Sequence, residues 1–297
     1  MKNSPQILAF ISLFSTFNSF AQEPNMSGND HKGLEQKNVS TEILVKVPED
    51  QKIIDGYNPP SYFFNLSDWS LSVPLDEDGN GKADHIKENK LSAGYLSDYF
   101  YATDDGAMVF TCPIGGAKTS KNTTYTRTEL REMLRAGNTS IKTKGPNKNN
   151  WVLESSKSTK NTGGYNGELE ATLAINHVTT TGKSSQVGRV IIGQIHAEHN
   201  EPLRIYYRKL PNNQKGSIYF AHETQDTGKE NYYELIGSKS SSAENPDDGI
   251  ELNEKFTYKV SLIDNELTVK ICRLFKPEVV KTINIKDSGY DLSLIHI

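Results

Sequence analysis

Arg127, Glu129 and Arg131 stand two residues apart in the segment TYTRTELREMLRAG (124–137). On a helix such positions fan out around the axis, whereas on a strand they share one face. A face with two guanidinium groups and a carboxylate between them can grip a polar, anionic ligand, because the guanidinium fork matches a carboxylate. It can equally be a plain charged surface open to water. Gln194 and His196, in GQIHAE, are also two apart. On a strand Ile195 would turn to the core while the amide and the imidazole turn the other way. That pairing suits a site that touches a carboxylate and moves a proton. An isolated Q-x-H is more often an ordinary polar strand face, so it gains meaning only beside the arginine cluster.

Both clusters need elements to position them, and the local signals are mostly β. VGRVIIGQIH (187–196) is rich in β-branched residues and has no helical stripe. LRIYYRK (203–209) and GSIYFAHE (216–223) alternate apolar and polar residues, and GELEATLAINHV (167–178) reads as a further strand. Residues 254–275 read as two strands joined at Asp264-Asn265, a favourable tight-turn pair. Many short strands with turn signals predict a sandwich or barrel. Helix signals are thin, with one short turn expected in HIKENKLSAGY (85–95). For 127–135 propensity leaves both states open. Leu130, Met133 and Leu134 have helical spacing with Gly137 as a possible cap, while the preceding threonines and the β surroundings favour a strand.

The chain has 297 residues, a net charge of −4 and a mean hydropathy of −0.60. It has no general basic field of the kind that draws nucleic acid, so a polyanionic partner would need a local basic patch. Lys2, the apolar run Ile7–Phe14 and the small residue Ala21 match an export signal cut after Ala21. The run is too short to span a membrane, which takes about 20 apolar residues. The expected organisation is a signal at 1–21, a polar leader at 22–55, one domain over 56–291, and a tail at 292–297. The protein is expected outside the cytoplasm, as a monomer.

With both clusters in order inside a β-rich chain, the sequence resembles the polysaccharide lyase family 7 alginate lyases. The resemblance runs from LSDWSLSVPLDEDGNGKADHI (66–86) through YFYATDDGAMVFTCPIGGAKTSKNTTYTRTELREML (99–134) to IIGQIHAEHNEPLRIYYRKLP (191–211). Two of the family's signature segments, R-[T/S]-E-L-R and Q-[I/V]-H, are intact. The third, Y-x-K-x-G-x-Y-x-Q, does not occur. The resemblance implies an all-β sandwich jelly roll with a concave substrate groove, and it places 127–131 on a strand facing that groove. It also implies that residues 1–297 lack a strand bearing a catalytic tyrosine, that LSLIHI is a non-native tail, and that this length of chain is inactive by itself.

The implied reaction is β-elimination on a 1,4-linked uronate polymer. Removing the C5 proton places negative charge beside a carboxylate, so that carboxylate must first be neutralised. The resemblance gives Arg127 and Gln194 this task and makes His196 the base on guluronate. It gives Arg131 a neighbouring uronate and Glu129 the task of holding the two arginines. No cofactor is required. The alternatives are a lyase for another polyuronate such as glucuronan, and a non-catalytic polyuronate-binding sandwich. A pure binder would need the arginines but no base. A glycosidase would need a paired acid and nucleophile, which the sequence does not place.

Asp76, Asp78, Asn80 and Gly81 imitate a calcium loop, but the twelfth position is Lys87 where a bidentate Glu is required. A turn-rich loop with no metal is expected. His85, His177, His199 and His222 occur singly and are expected to be structural or exposed, since none has zinc-site spacing. Cys112 and Cys272 are expected as buried thiols, with a disulfide as the alternative.

Overall fold

The computed structural model of the protein describes residues 6–12, 56–197 and 199–290. The leader at 22–55, the tail at 292–297 and most of the N-terminal signal lie outside the described residues. In chain order the strands begin with β1 (Gln6–Ser12), β2 (Trp69–Val73), β3 (Asp84–Ile86), β4 (Phe100–Ala102), β5 (Met108–Pro113) and β6 (Glu129–Glu132). A short parallel pair, β7 (Trp151–Val152) and β8 (Gly164–Tyr165), leads to β9 (Gly167–Ile175). There follow β10 (Arg189–Ile195), β11 (Leu203–Arg208), β12 (Lys215–Glu223), β13 (Glu230–Ile236) and β14 (Ile250–Glu251). The last are β15 (Phe256–Ile263), β16 (Glu266–Cys272) and β17 (Val279–Asn284). The expected short helix is α1 (Glu88–Ser92), between β3 and β4.

The strands form one sheet in the order β17-β16-β15-β9-β1-β5-β4, a second in the order β10-β11-β12-β13, and a third in the order β3-β2-β6. The first two face each other across one core. Leu169 and Leu173 of β9, Val260 and Leu262 of β15, and Val269 of β16 meet Ile205 and Tyr207 of β11 and Ile218 and Phe220 of β12. Each strand contributes every second residue, as the period of a strand requires. A smaller core of Leu71, Val73, Ile86, Phe100 and Met108 underlies the third sheet. The hairpin between β15 and β16 turns on Asp264 and Asn265, both with positive φ (46° and 71°). Short polar residues tolerate that region best.

Two features of the topology bear on the site. Residues 6–12 of the expected signal form β1, antiparallel to both β5 and β9 in the middle of the large sheet. Among the described residues β6 pairs only with β2, and β10 only with β11. The two strands that carry the chemical clusters are therefore edge strands of separate sheets.

Candidate active site

The register of the third sheet decides where the arginine cluster points. Glu129 lies opposite Ser72, Leu130 opposite Leu71 and Arg131 opposite Ser70; on the other side of β2, Ser72 lies opposite His85 and Leu71 opposite Ile86. Directly opposed residues share a face. Leu71 and Ile86 are buried, so the Glu129–Ser72–His85 row faces away from the core. Glu129–Glu132 is thus a strand, whereas Arg127 and Thr128, expected on the same strand, precede it as irregular chain, and the helix formers beyond it end in a turn at 134–137. The lead-in is pinned to β5, because Thr126 and Thr128 hydroxyls donate to the carbonyls of Pro113 and Thr111, each at 2.6 Å. Those anchors set the position of Arg127.

Glu129 lies between the arginines. One carboxylate oxygen accepts from Arg127 Nη1 at 3.3 Å and the other from Arg131 Nη2 at 3.4 Å. The brace holds the guanidinium before β6 and the one on it to a single carboxylate and leaves each with unused donors.

β10 delivers the second cluster through a bulge. Its register with β11 shifts between Ile191 and Gly193, which resets the alternation so that Gly193 and Ile195 face the core while Gln194 and His196 face outward. Glycine is required at 193: a Cβ there would lie 2.7 Å from the phenolic oxygen of Tyr258, whose ring is buried in the core.

The His196 ring is held below its ordinary pKa, first by burial and then by the charge of Arg131, with Arg127 adding to the effect. The Ala197 carbonyl and Glu129 oppose the shift. The net direction keeps the imidazole neutral near pH 7, the state a base needs.

Arg127, Arg131 and His196 line one cleft of about 930 Å³ together with His85, Lys82, Lys87, Lys90 and Lys144. That volume is at the upper end of the roughly 300–1,000 Å³ usual for ligand sites. Its lining carries more lysine and arginine than carboxylate, with Glu77, Asp78 and Asp84 as the acidic members. Gln194 shares the outward face of β10 with His196 but stands one row along, opposite Arg204, and is not among the residues lining the cleft. Those lining residues include no tyrosine.

His85 was expected to be structural or exposed. It is exposed, but it also lines the cleft, brought there by the β3–β2–β6 register. His222 is structural, buried with Nδ1 on the Pro202 carbonyl and Nε2 on the Ser288 hydroxyl. Cys112 and Cys272 are free, half-buried thiols. Asp76, Asp78 and Asp84 bring carboxylate oxygens within 4.8 Å of one another. Those carboxylates accept from the loop's own backbone at Gly81, Asn80 and Glu77, so the loop closes on itself.

A β-sandwich with a basic cleft, two braced arginines and a neutral imidazole fits the class of polysaccharide lyases. The family model for alginate lyase (Alginate_lyase2) matches residues 64–293. An alginate lyase of Klebsiella pneumoniae is 57% identical over 242 residues, covering 78% of this chain and 79% of that protein. The crystal structure of the alginate lyase from Klebsiella pneumoniae superposes with a TM-score of 0.78 at 53% identity, over 80% of this chain and 88% of that one. The exolytic family 7 alginate lyase of Zobellia galactanivorans shares the fold, with a TM-score of 0.60 at 23% identity over 80% and 81% of the two chains. The chain belongs to the alginate lyases of polysaccharide lyase family 7, and its all-β sandwich is their jelly roll.

Proposed function

We propose that the protein cleaves alginate by β-elimination, leaving a C4=C5 double bond on the new non-reducing end. Arg127 neutralises the uronate carboxylate beside the reacting C5, and Gln194 assists as a neutral donor. His196 removes the C5 proton, Arg131 binds a neighbouring uronate, and Glu129 keeps both arginines in place. The observation that carries this is the convergence of Arg127, Arg131 and His196 on one cleft, with a single carboxylate bracing the arginines. A preorganised donor aimed at developing charge is worth roughly 100- to 1,000-fold in rate, which is why the arginine must be fixed before substrate arrives.

The test is alginate incubated with the protein, with unsaturated ends followed by ultraviolet absorbance and new reducing ends counted beside them. Ultraviolet-absorbing unsaturated ends support the proposal. New reducing ends without unsaturation would mean hydrolysis. Tight binding with no product would make the protein a binding module. Unsaturated ends from a polyglucuronate but not from alginate would move the substrate to that polymer.

We further propose that the protein is exported and acts as a monomer. The support for export is the charge, apolar-run and Ala21 pattern at 1–21. Cleavage there would remove β1 from between β5 and β9. Mass spectrometry of protein recovered outside the cell decides between an N-terminus at Gln22 and one that retains β1, and sedimentation gives the oligomeric state.

A further inference from the structure

His196 follows the last residue of β10, and the chain turns at once toward β11. Ala197 N–H donates to the Asn200 carbonyl at 3.0 Å and closes the turn. The Asn200 side-chain amide donates to the carbonyls of Thr224 and Gln225 at 3.1 and 2.9 Å, tying the turn to the segment after β12. Glu201 comes next. Its N–H donates to a carboxylate oxygen of Glu223 at 3.0 Å, and its carbonyl accepts from Glu223 N–H at 3.1 Å. With its main chain held on both sides, Glu201 reaches back across the turn. It places Oε1 3.7 Å from His196 Nε2 and Oε2 4.0 Å from Arg204 Nε. The other ring nitrogen, Nδ1, faces the Ala197 carbonyl. A carbonyl only accepts, so the neutral ring carries its proton on Nδ1 and its lone pair on Nε2.

We propose that Glu201 is a positioning residue for the base: the Ala197 carbonyl selects the tautomer, and the Glu201 carboxylate stands beside Nε2 to stabilise the imidazolium formed there. This rests on His196 being the base. In the step, the C5–H bond breaks and its proton passes to Nε2. The C5–H electron pair becomes the second bond of C4=C5, and the C4–O4 bond breaks with its pair leaving on O4. That oxygen takes a proton from a general acid or water. The ring thereby gains a full positive charge.

The groups around it pull in two directions. From β6 and the segment leading into it, Arg131 and Arg127 oppose the charge and Glu129 favours it. From β3, His85 lines the same cleft. On the Glu201 side, Arg204 is bonded to Glu223 and Glu230 and also lies 4.0 Å from Glu201 Oε2; burial, and then the bond to the Glu201 side chain, push the Glu223 carboxyl up to about 7, and Oε1 is the Glu201 oxygen turned toward the imidazole. The arginines keep the resting ring neutral and therefore able to accept a proton. Glu201 offsets them as the charge appears, and at 3.7 Å it needs only a small approach to form a charge-assisted hydrogen bond.

The experiment is an NMR titration of the His196 ring in the full chain and in Glu201→Gln, with Glu230→Gln as the control that touches Arg204 but not the histidine. The neutral ring is expected to show the signature of a proton on Nδ1. Glu201→Gln is expected to lower the His196 pKa by about 0.5–1 pH unit, three- to tenfold in proton affinity, and the control to leave it in place. In the steady-state assay the acid limb of the rate profile should move down by the same amount while the plateau kcat falls roughly three- to tenfold. A proton on Nε2 in the neutral ring, or a His196 pKa unmoved by Glu201→Gln, overturns the proposal. Normal turnover of guluronate blocks by His196→Ala overturns the base assignment instead and leaves the titration result standing, so the two failures are distinguishable.

Discussion

Glu132 directly follows Arg131, yet its side chain turns to the opposite face of β6 and is buried, with 7% of its surface exposed. Burial, together with the charge of Asp68, pushes its carboxyl from an ordinary 4.5 up to about 8. The group is therefore protonated in the fold at neutral pH and ionised in the unfolded chain. Between those two values the folded state holds more protons, so stability falls as pH rises. The contribution is complete below pH 4.5 and lost by the time pH passes about 8. At about 1.4 kcal/mol for each tenfold in proton affinity, ionising Glu132 costs the fold about 5 kcal/mol, a large part of the roughly 5–15 kcal/mol a domain has. Glu132→Gln keeps the shape and removes the charge. Urea unfolding at pH 5, 7 and 9 should show the two proteins close at pH 5 and the variant several kcal/mol more stable at pH 9. Because β6 carries Glu129 and Arg131 on its other face, the variant should also retain catalysis to higher pH. Parallel stability curves across that range would refute the reasoning, since they would mean the carboxyl is already ionised in the fold.

Other expectations follow from the same geometry. Arg127→Ala and Gln194→Ala should lower kcat more than they raise KM, by about 100-fold or more for the arginine, because neutralisation matters most as charge develops; an intact kcat would move that task elsewhere. Arg131→Ala should act mainly on KM in the same steady-state assay. His196→Ala should lose far more activity on guluronate blocks than on mannuronate blocks, and equal small losses on both would remove it as the base. Gly193→Ala puts a Cβ against the buried Tyr258 ring, which should cost about 1–3 kcal/mol by overpacking, read as a lower urea midpoint, and should shift Gln194 and His196 along with the bulge.

The two chemical clusters were legible in the sequence because their period of two is itself the strand signal. Once Ile195 and Leu130 are assigned to the core, Gln194, His196, Glu129 and Arg131 have only one face left. The helix propensity of 130–134 misleads because propensity is local, whereas the strand over Glu129–Glu132 is fixed by pairing with β2, some sixty residues earlier. Distance along the chain also hides His85. Nothing in DHI marks it, and only the registers of β3 with β2 and of β2 with β6 bring it into the Glu129 row. Glu201 is five residues from His196, close enough to notice but on no strand period, since a turn lies between them. What makes it a neighbour is that Glu223 grips its N–H and carbonyl from β12, a contact no spacing rule encodes. The residues that face substrate can thus be read from alternation within single strands. Those that tune them sit one register or one turn away, and pairing between strands decides which side chains they are.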